Sequence, residues 1–168
     1  VTPEYTTTPV VQGRKFEVCR GIGTSFGYMQ FEDERTYIPV HDLVRLLVDV
    51  VADGGNLLLN IGPMPGGYVP WAQQVRVLAL GQWLAVNGPA IFGTRPFEPS
   101  RLATDAGDNV RLTRDPRGVV YAMVCGRPDS ATVQIDGLPA GDVTLLANGA
   151  GVRRAGDRLV LPGRPDDT

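Results

Sequence analysis

Hydrophobic positions in the first part of the chain alternate between two patterns. Residues 16–23, "FEVCRGIG", and residues 56–61, "NLLLNI", are short apolar runs that predict strands. Residues 40–56 and 70–88 carry apolar side chains at helical spacing. The second strand is apolar at consecutive positions, which is typical of a parallel strand covered on both faces. The order strand, helix, strand, helix therefore indicates βα units of a parallel sheet.

Both predicted helices have recognisable ends and an apolar stripe. Pro39 and Pro70 stand at their starts, and Gly54 and Gly88 follow their ends. The stripe residues are Leu43, Leu46, Leu47, Val50 and Val51 in the first helix and Val77, Leu80, Gly81 and Leu84 in the second. Two strands cannot form a sheet that is covered on both faces, so we expect further βα units that this chain does not contain.

The second part of the chain, from about residue 105, has short strand-like runs separated by turns. The runs are "NVRLTR", "GVVYAMVC", "ATVQIDG", "DVTLLA" and "RLVLPG", and the turns include "DPRG" and "NG". This pattern predicts a small antiparallel β-sandwich. The preceding stretch, residues 93–109, is rich in Pro, Gly and Ser, which predicts a linker.

Composition narrows the function classes. The 168 residues carry a net charge of -2 and no basic stripe, which argues against nucleic acid and anionic membranes as partners. No apolar run reaches the ~20 residues of a transmembrane span. Lys15 is the single lysine among sixteen basic residues, which indicates a GC-rich bacterial coding bias. Cys19 and Cys125 lie far apart, which favours free thiols over a disulfide, and no Cys or His spacing indicates a metal site.

Ligands of parallel βα folds bind at the carboxyl ends of the strands, so the segments after the two strands are candidate ligand sites. Residues 62–70, "GPMPGGYVP", have no charge and are predicted to be a stiff connector or a pocket wall. Residues 24–35, "TSFGYMQFEDER", contain Phe26, Tyr28 and Phe31, which are suited to stack on a sugar face or to line an apolar pocket. The alternative is that Phe26 and Tyr28 only plug the barrel end. The acidic run Glu32–Glu34 is expected to be a solvated loop.

Two further residues are candidates for acid–base chemistry. Glu4 lies between Pro3 and Tyr5, and a glutamate held in a dry pocket suits a general acid. Composition alone favours a surface glutamate at this position. His41 is the only histidine, and its place before a helix indicates a solvated residue rather than a member of a catalytic triad.

Four motifs in order carry a resemblance to a known family. "TPEYTTTP", "KFEVCRGIGTSFGY", "LVRLLVDVVADGGNLLLNIGP" and "GQWLAVNGPAIFGTRP" resemble the carboxyl-terminal half of the α-L-fucosidases of glycoside hydrolase family 29. The match covers residues 2–96. The tail carries no matching motif and resembles the family only in being rich in predicted strands. The resemblance implies the last two βα units of a (β/α)8-like barrel, residues 1–96, followed by a truncated β-sandwich domain, residues 97–168.

The resemblance also implies a function. The family removes terminal α-L-fucose from glycoconjugates with retention of configuration, using two carboxylates about 5–5.5 Å apart and no cofactor or metal. The motifs place the acid/base at Glu4, with Glu17 as the runner-up, and they place Phe26 against the apolar side of the fucose ring. The expected partners are a fucosylated substrate and the missing half of the barrel. Compartment, linkage and homo-oligomerisation stay open.

This sequence departs from the family pattern in several places. The nucleophilic aspartate lies on an earlier barrel strand that is absent, so we expect a piece of a longer protein that is inactive alone. Phe16 replaces the usual Trp, Met64 replaces Lys, and Gly66 replaces Asp. The alternative from another class is a non-catalytic remnant or carbohydrate-binding module. Inversion by Glu4 and Glu17 would need the two carboxylates about 6.5–9.5 Å apart, and nothing in the sequence favours it.

Overall fold

The computed structural model describes residues 15–104, 107–126 and 132–160. Its first part has the predicted order of elements: β1 (Glu17–Gly21), α1 (Val40–Ala52), β2 (Asn56–Asn60) and α2 (Trp71–Asn87), with a 3-10 turn at Gly88–Ala90. β1 and β2 pair in parallel, as predicted. Within the described residues, no helix is long and apolar enough to cross a membrane.

Two consecutive glycines turn the chain directly from α1 into β2. The N–H of Gly54 donates to the carbonyl of Val51 at 3.0 Å, and the N–H of Gly55 donates to that of Val50 at 2.9 Å. These two bonds form the Schellman motif, which needs a left-handed residue, and Gly54 has φ +84°. At Gly55 an added Cβ would lie 2.5 Å from the Phe16 ring. Both positions therefore require glycine, one for its backbone conformation and one for space.

The core of this part lies between the strand pair and α1. Leu57, Leu59 and Ile61 pack against it, whereas Leu58, on the other face of β2, is 49% exposed. Only one face of the strand pair is therefore covered among the described residues. The fully packed members are Phe16, Val18, Ile22, Tyr37, Ile38, Leu43, Leu46 and Val50.

The apolar stripe predicted for α2 is wrong as a description of its buried face. Leu80 packs against the core, but Val77 is 40% exposed, and the residues that α2 buries are Gln73 and Arg76. The reason is that the inner side of α2 packs against backbone groups of the loops, such as the N–H of Gly62 and the carbonyl of Ile38. Polar side chains are needed there to form hydrogen bonds with them. The apolar residue Leu78, at 60% exposure, is left on the outside.

The second part forms two antiparallel sheets around a separate core. The strands are β3 (Arg95–Thr104), β4 (Gly107–Arg114), β5 (Val120–Val124), β6 (Thr132–Gln134), β7 (Val143–Thr144), β8 (Gly151–Ala155) and β9 (Arg158–Val160). Their order is β3-β4-β5 in one sheet and β6-β9-β8-β7 in the other. The core consists of buried side chains from both parts, including Leu112 of β4 and Ile135, directly after β6.

The structure corrects two sequence predictions here. The stretch predicted as a linker forms β3 from Arg95 to Thr104, because an edge strand tolerates Pro96 and Pro99 in a way that a central strand does not. β8, "GVRRA", is not among the predicted runs, because Val152 is its only buried side chain and leaves no alternation to detect. The domain boundary predicted at residue 96 lies at the start of β3.

Ion pairs join α1 to the sandwich. Arg111 of β4 donates from Nε to Oδ1 of Asp49 at 2.6 Å, and Arg101 of β3 donates from Nη2 to Oδ2 of Asp53 at 2.6 Å. The Arg111 side chain is only 3% exposed. The two parts of the chain are therefore held together by charged groups that are partly shielded from water.

Candidate active site

The carboxyl ends of the two parallel strands form one edge. The register pairs Glu17 with Asn56 at the amino ends and Gly21 with Asn60 at the carboxyl ends. The segments 22–39 and 61–70 both leave from the carboxyl edge. In (β/α)8 barrels this edge carries the ligand site, so these two segments form the candidate site.

Side-chain alternation identifies the face of the strands that points away from the core. Val18 and Leu57 pack in the core, so the alternating positions Cys19, Leu58 and Asn60 lie on the opposite face. In a closed barrel that face lines the interior. We call it the inner face, and Asn60 is its last residue on β2.

Phe26 lies in the segment after β1 and is partly buried. Its carbonyl oxygen accepts a hydrogen bond from Nδ2 of Asn60. The neighbouring backbone also crosses the end of β2: a Cβ on Gly62 would lie 2.7 Å from the carbonyl carbon of Gly27 and 2.8 Å from the nitrogen of Tyr28. Segment 26–28 is therefore held directly over the end of β2.

The rest of this segment is a structured surface loop. Phe31 is 82% exposed and faces solvent. Glu32 accepts hydrogen bonds from the N–H of Thr24 at 2.6 Å and from its hydroxyl at 2.7 Å. Asp33 is exposed, as predicted, and its hydrogen bonds with the side chain and backbone of Arg35 hold its pKa below the usual value. The acidic run therefore shapes the loop as well as facing solvent.

A buried polar network connects α2 to both segments of the candidate site. Gln73 is 1% exposed; its Oε1 accepts the N–H of Gly62 at 2.9 Å, and its Nε2 donates to the hydroxyl of Tyr37 at 3.4 Å. Arg76, one turn further, pairs with Glu34 at 2.8 Å. Sequence reasoning missed this network, because polar residues of an amphipathic helix are expected on its outer face. The sequence does contain one signal for this network: Gln73 and Arg76 are three residues apart, which places them on the same face of the helix.

The predicted acid–base residues have different positions. Glu4 lies outside the described residues. Glu17 is partly buried at the amino end of β1, about 13 Å from the carboxyl edge at four strand residues of ~3.3 Å each. His41 is solvated, as predicted: its side chain is 82% exposed, beside the carboxylate of Asp42.

The uncharged segment 62–70 forms a tight turn. The N–H of Met64 donates to the carbonyl of Tyr68 and the N–H of Gly67 to that of Met64, both at 2.8 Å. Tyr68 is 73% exposed. A connector or a wall is compatible with this turn. Among the described residues, no group of three or more His, Cys, Asp or Glu side chains is arranged to hold a metal ion.

Comparison with known proteins identifies the family. The family model described as Alpha-L-fucosidase matches residues 1–89. The α-L-fucosidase of Dictyostelium discoideum is 34% identical over 123 residues, which cover 73% of this chain and 26% of the relative. The Thermotoga maritima α-fucosidase in complex with a mechanism-based inhibitor is 37% identical, with a TM-score of 0.85 over 96% of this chain and 38% of that one. In complex with fucose, the same enzyme is 38% identical and gives a TM-score of 0.82 over 89% of this chain and 37% of that one.

These matches also define the fold. The structural neighbours are fucosidases built from a barrel and a β-sandwich, and they align with both parts of this chain. The fold is thus the last two βα units of a (β/α)8-like barrel followed by a small antiparallel β-sandwich. The chain spans about a quarter of the Dictyostelium relative and less than two fifths of the Thermotoga enzyme. Because the family model covers more than half of its residues, the chain belongs to the α-L-fucosidase family.

Proposed function

We propose that this chain is the carboxyl-terminal part of a retaining exo-α-L-fucosidase that removes terminal α-L-fucose from glycoconjugates. The observation that carries the proposal is the position of Phe26, fixed at the carboxyl edge of the parallel strands by Asn60. The family match and the fucose complex of the Thermotoga relative supply the substrate class.

In this proposal Phe26 packs against the apolar side of the fucose ring. An aromatic side chain at the mouth of a barrel buries a large apolar area, and the C–H groups and the methyl group of fucose offer it a matching surface. Phe26 is partly buried with its backbone held, so little conformational freedom is lost on binding.

Glu4 is the proposed acid/base. It protonates the glycosidic oxygen of the leaving group and, in the second step, deprotonates the water that attacks the glycosyl-enzyme intermediate. Glu17 is the less supported candidate, because it begins β1 at the edge opposite to Phe26. The nucleophilic carboxylate is supplied by an earlier barrel strand.

The proposed partner within the same enzyme is the rest of the barrel. The inner-face residue Leu58 is 49% exposed, and on α2 Trp71 and Leu78 are 70% and 60% exposed. Apolar side chains at these positions are suited to burial against neighbouring βα units. The complete enzyme is a protein in which this chain follows the rest of the barrel. We expect the chain by itself to be inactive.

The role of Glu4 is tested by substitution in the complete enzyme. Glu4→Gln removes the proton donor, so hydrolysis of fucosides with poor leaving groups should fall by about 10²–10⁴-fold, and activated aryl fucosides should lose far less in the first step. The measurement is kcat/KM across aryl fucosides of graded leaving-group pKa, with Glu17→Gln as the matched control. An equal loss on every substrate would contradict the assignment.

A further inference from the structure

The end of β2 contacts the segment that carries Phe26 in two independent ways, one polar and one steric. We propose that Asn60 and Gly62 are positioning residues that fix Phe26, and that they thereby set the preference of the enzyme for a 6-deoxy sugar. This inference rests on the proposed function, because it concerns what Phe26 contacts in that site.

Asn60 supplies the polar contact. It ends β2 on the inner face and is partly buried, and its Nδ2 donates to the carbonyl oxygen of Phe26. The two residues are 34 positions apart in the sequence, so the bond joins the ends of neighbouring strands. Because the acceptor is the backbone of Phe26, Asn60 fixes the position from which the ring projects.

Gly62 supplies the steric contact. Its α-carbon lies so close to the backbone of Gly27 and Tyr28 that any side chain at position 62 would overlap them. The backbone at Gly62 cannot shift easily to avoid this overlap, because its N–H donates a hydrogen bond to Oε1 of the buried Gln73 at 2.9 Å. Residues 26–28 are therefore fixed both by the hydrogen bond from Asn60 and by the close approach of the backbone at Gly62.

The position of Phe26 affects the selectivity between α-L-fucosides and α-L-galactosides. α-L-Galactosides differ from α-L-fucosides only by a hydroxyl group on C6. An aromatic ring held against the C5 methyl group favours the fucoside, because it would remove the added hydroxyl from water without giving it a hydrogen-bond partner. If the Phe26 ring is displaced, it loses contact with the methyl group and water enters the site. The preference for α-L-fucosides over α-L-galactosides then falls.

The test compares two substrates on variants of the complete enzyme. The kcat/KM values for p-nitrophenyl α-L-fucoside and p-nitrophenyl α-L-galactoside are measured for Asn60→Ala, Gly62→Ala and Phe26→Ala. Asn87→Ala is the matched control, since Asn87 makes the same kind of bond, Nδ2 to the carbonyl of Trp83 at 3.0 Å, at the far end of α2. The ratio of the two values is independent of how much protein is folded.

The fucoside-to-galactoside ratio is expected to fall about fourfold in Asn60→Ala, the factor that corresponds to one buried methyl group, and by at least as much in Gly62→Ala. Asn87→Ala should leave the ratio unchanged. In the Phe26→Ala background, Asn60→Ala should add little further change, because both act on the same contact. An unchanged ratio in Asn60→Ala and Gly62→Ala, with an active parent enzyme, would overturn the positioning role.

A second readout separates this inference from the proposed function. Amide hydrogen exchange of residues 22–28 should be faster in Asn60→Ala than in the parent and unchanged in Asn87→Ala. A parent enzyme that hydrolyses neither substrate would refute the proposed function and with it the selectivity role. Equal exchange in Asn60→Ala and the parent would refute the positioning role of Asn60, whatever the activity.

Discussion

Gln73 shows how one buried side chain fixes two loops of the candidate site. Its amide bonds to Gly62 at the end of β2 and to Tyr37 in the segment before α1, at 1% exposure. Phe26 could be selected only through the family resemblance, because its spacing after a strand is equally compatible with stacking on a sugar and with plugging the barrel end. Gln73 and Asn60 could not, because their roles depend on backbone groups that are brought near them only by the fold.

Replacing Gln73 tests this support. Gln73→Met keeps the size of the side chain but leaves the N–H of Gly62 without its acceptor, so the free energy of unfolding should fall by about 1–3 kcal/mol. Gln82→Met is the control, because Gln82 lies on the same helix and is exposed. Urea unfolding of both variants measures the difference, and equal stabilities would contradict the role given to Gln73.

At the scale of elements, the sequence predicts both helices to within a residue or two, because their end signals are local. The glycines at the end of α1 and in the middle of α2 illustrate the difference between required and replaceable positions. Gly54 has φ +84° in the Schellman motif, whereas Gly81 is helical and has open space where a Cβ would be.

The two glycines should respond to alanine with opposite signs. Gly54→Ala should destabilise the chain by about 1–2 kcal/mol, because a Cβ is disfavoured in the left-handed conformation. Gly81→Ala should stabilise it by up to about 1 kcal/mol through helix propensity. Thermal unfolding of the two variants provides the comparison, and a stabilising Gly54→Ala would refute the assigned backbone conformation.

The turn between β4 and β5 gives a pH-dependent contribution. Burial raises the pKa of Asp115, but hydrogen bonds from Arg117 and from the N–H of Val119 outweigh it, so the pKa lies below its ordinary value of 3.8. A lowered pKa means that the charged carboxylate stabilises the fold above pH 3.8 and that this contribution is lost as the pH falls through the lower folded-state pKa.

Asp115→Asn should therefore be less stable than the parent chain at pH 7, and the gap should close progressively below about pH 3.8. Asp142→Asn, at an exposed position just before β7, should show no gap at either pH. Unfolding curves between pH 2.5 and pH 7 measure both, and a gap that persists unchanged at low pH would exclude the electrostatic origin.

The strands of the sandwich are predicted less completely than the helices. β3 contains two prolines and β8 has a single buried side chain, so neither displays the alternation that identifies a half-buried strand. Their pairing is decided by partners distant in sequence. The inner face of β2 is left uncovered by the described residues. This follows from the sequence, because the consecutive leucines of β2 need cover that two βα units cannot provide.

At the scale of the whole molecule, α1 connects the barrel part to the sandwich through Asp49. Its Oδ1 atom pairs with Nε of Arg111 at 2.6 Å and lies 3.7 Å from Nη1 of Arg101. Its Oδ2 atom lies 3.4 Å from Nε of Arg45. The sandwich is therefore fixed to the helix that packs under both strands. We expect the two parts to unfold together rather than as independent units.

Removing this charge tests the connection. Asp49→Asn should lower the free energy of unfolding by about 2–3 kcal/mol, somewhat less than the ~3–5 kcal/mol of a fully buried pair because Asp49 keeps partial exposure. Asp42→Asn is the control on the same helix, since its side chain is 55% exposed. Tryptophan fluorescence and far-ultraviolet circular dichroism should give one coincident transition, and two separated transitions would contradict a single cooperative unit.

The fucosidase site that we propose is divided between this chain and the rest of the barrel. The most direct measurement is the turnover of p-nitrophenyl α-L-fucoside by the purified 168-residue chain, shown by circular dichroism to be folded, beside the complete enzyme at equal concentration. We expect hydrolysis by the complete enzyme and none by the chain. Hydrolysis by the folded chain alone, abolished by Glu4→Gln, would contradict the division of the site.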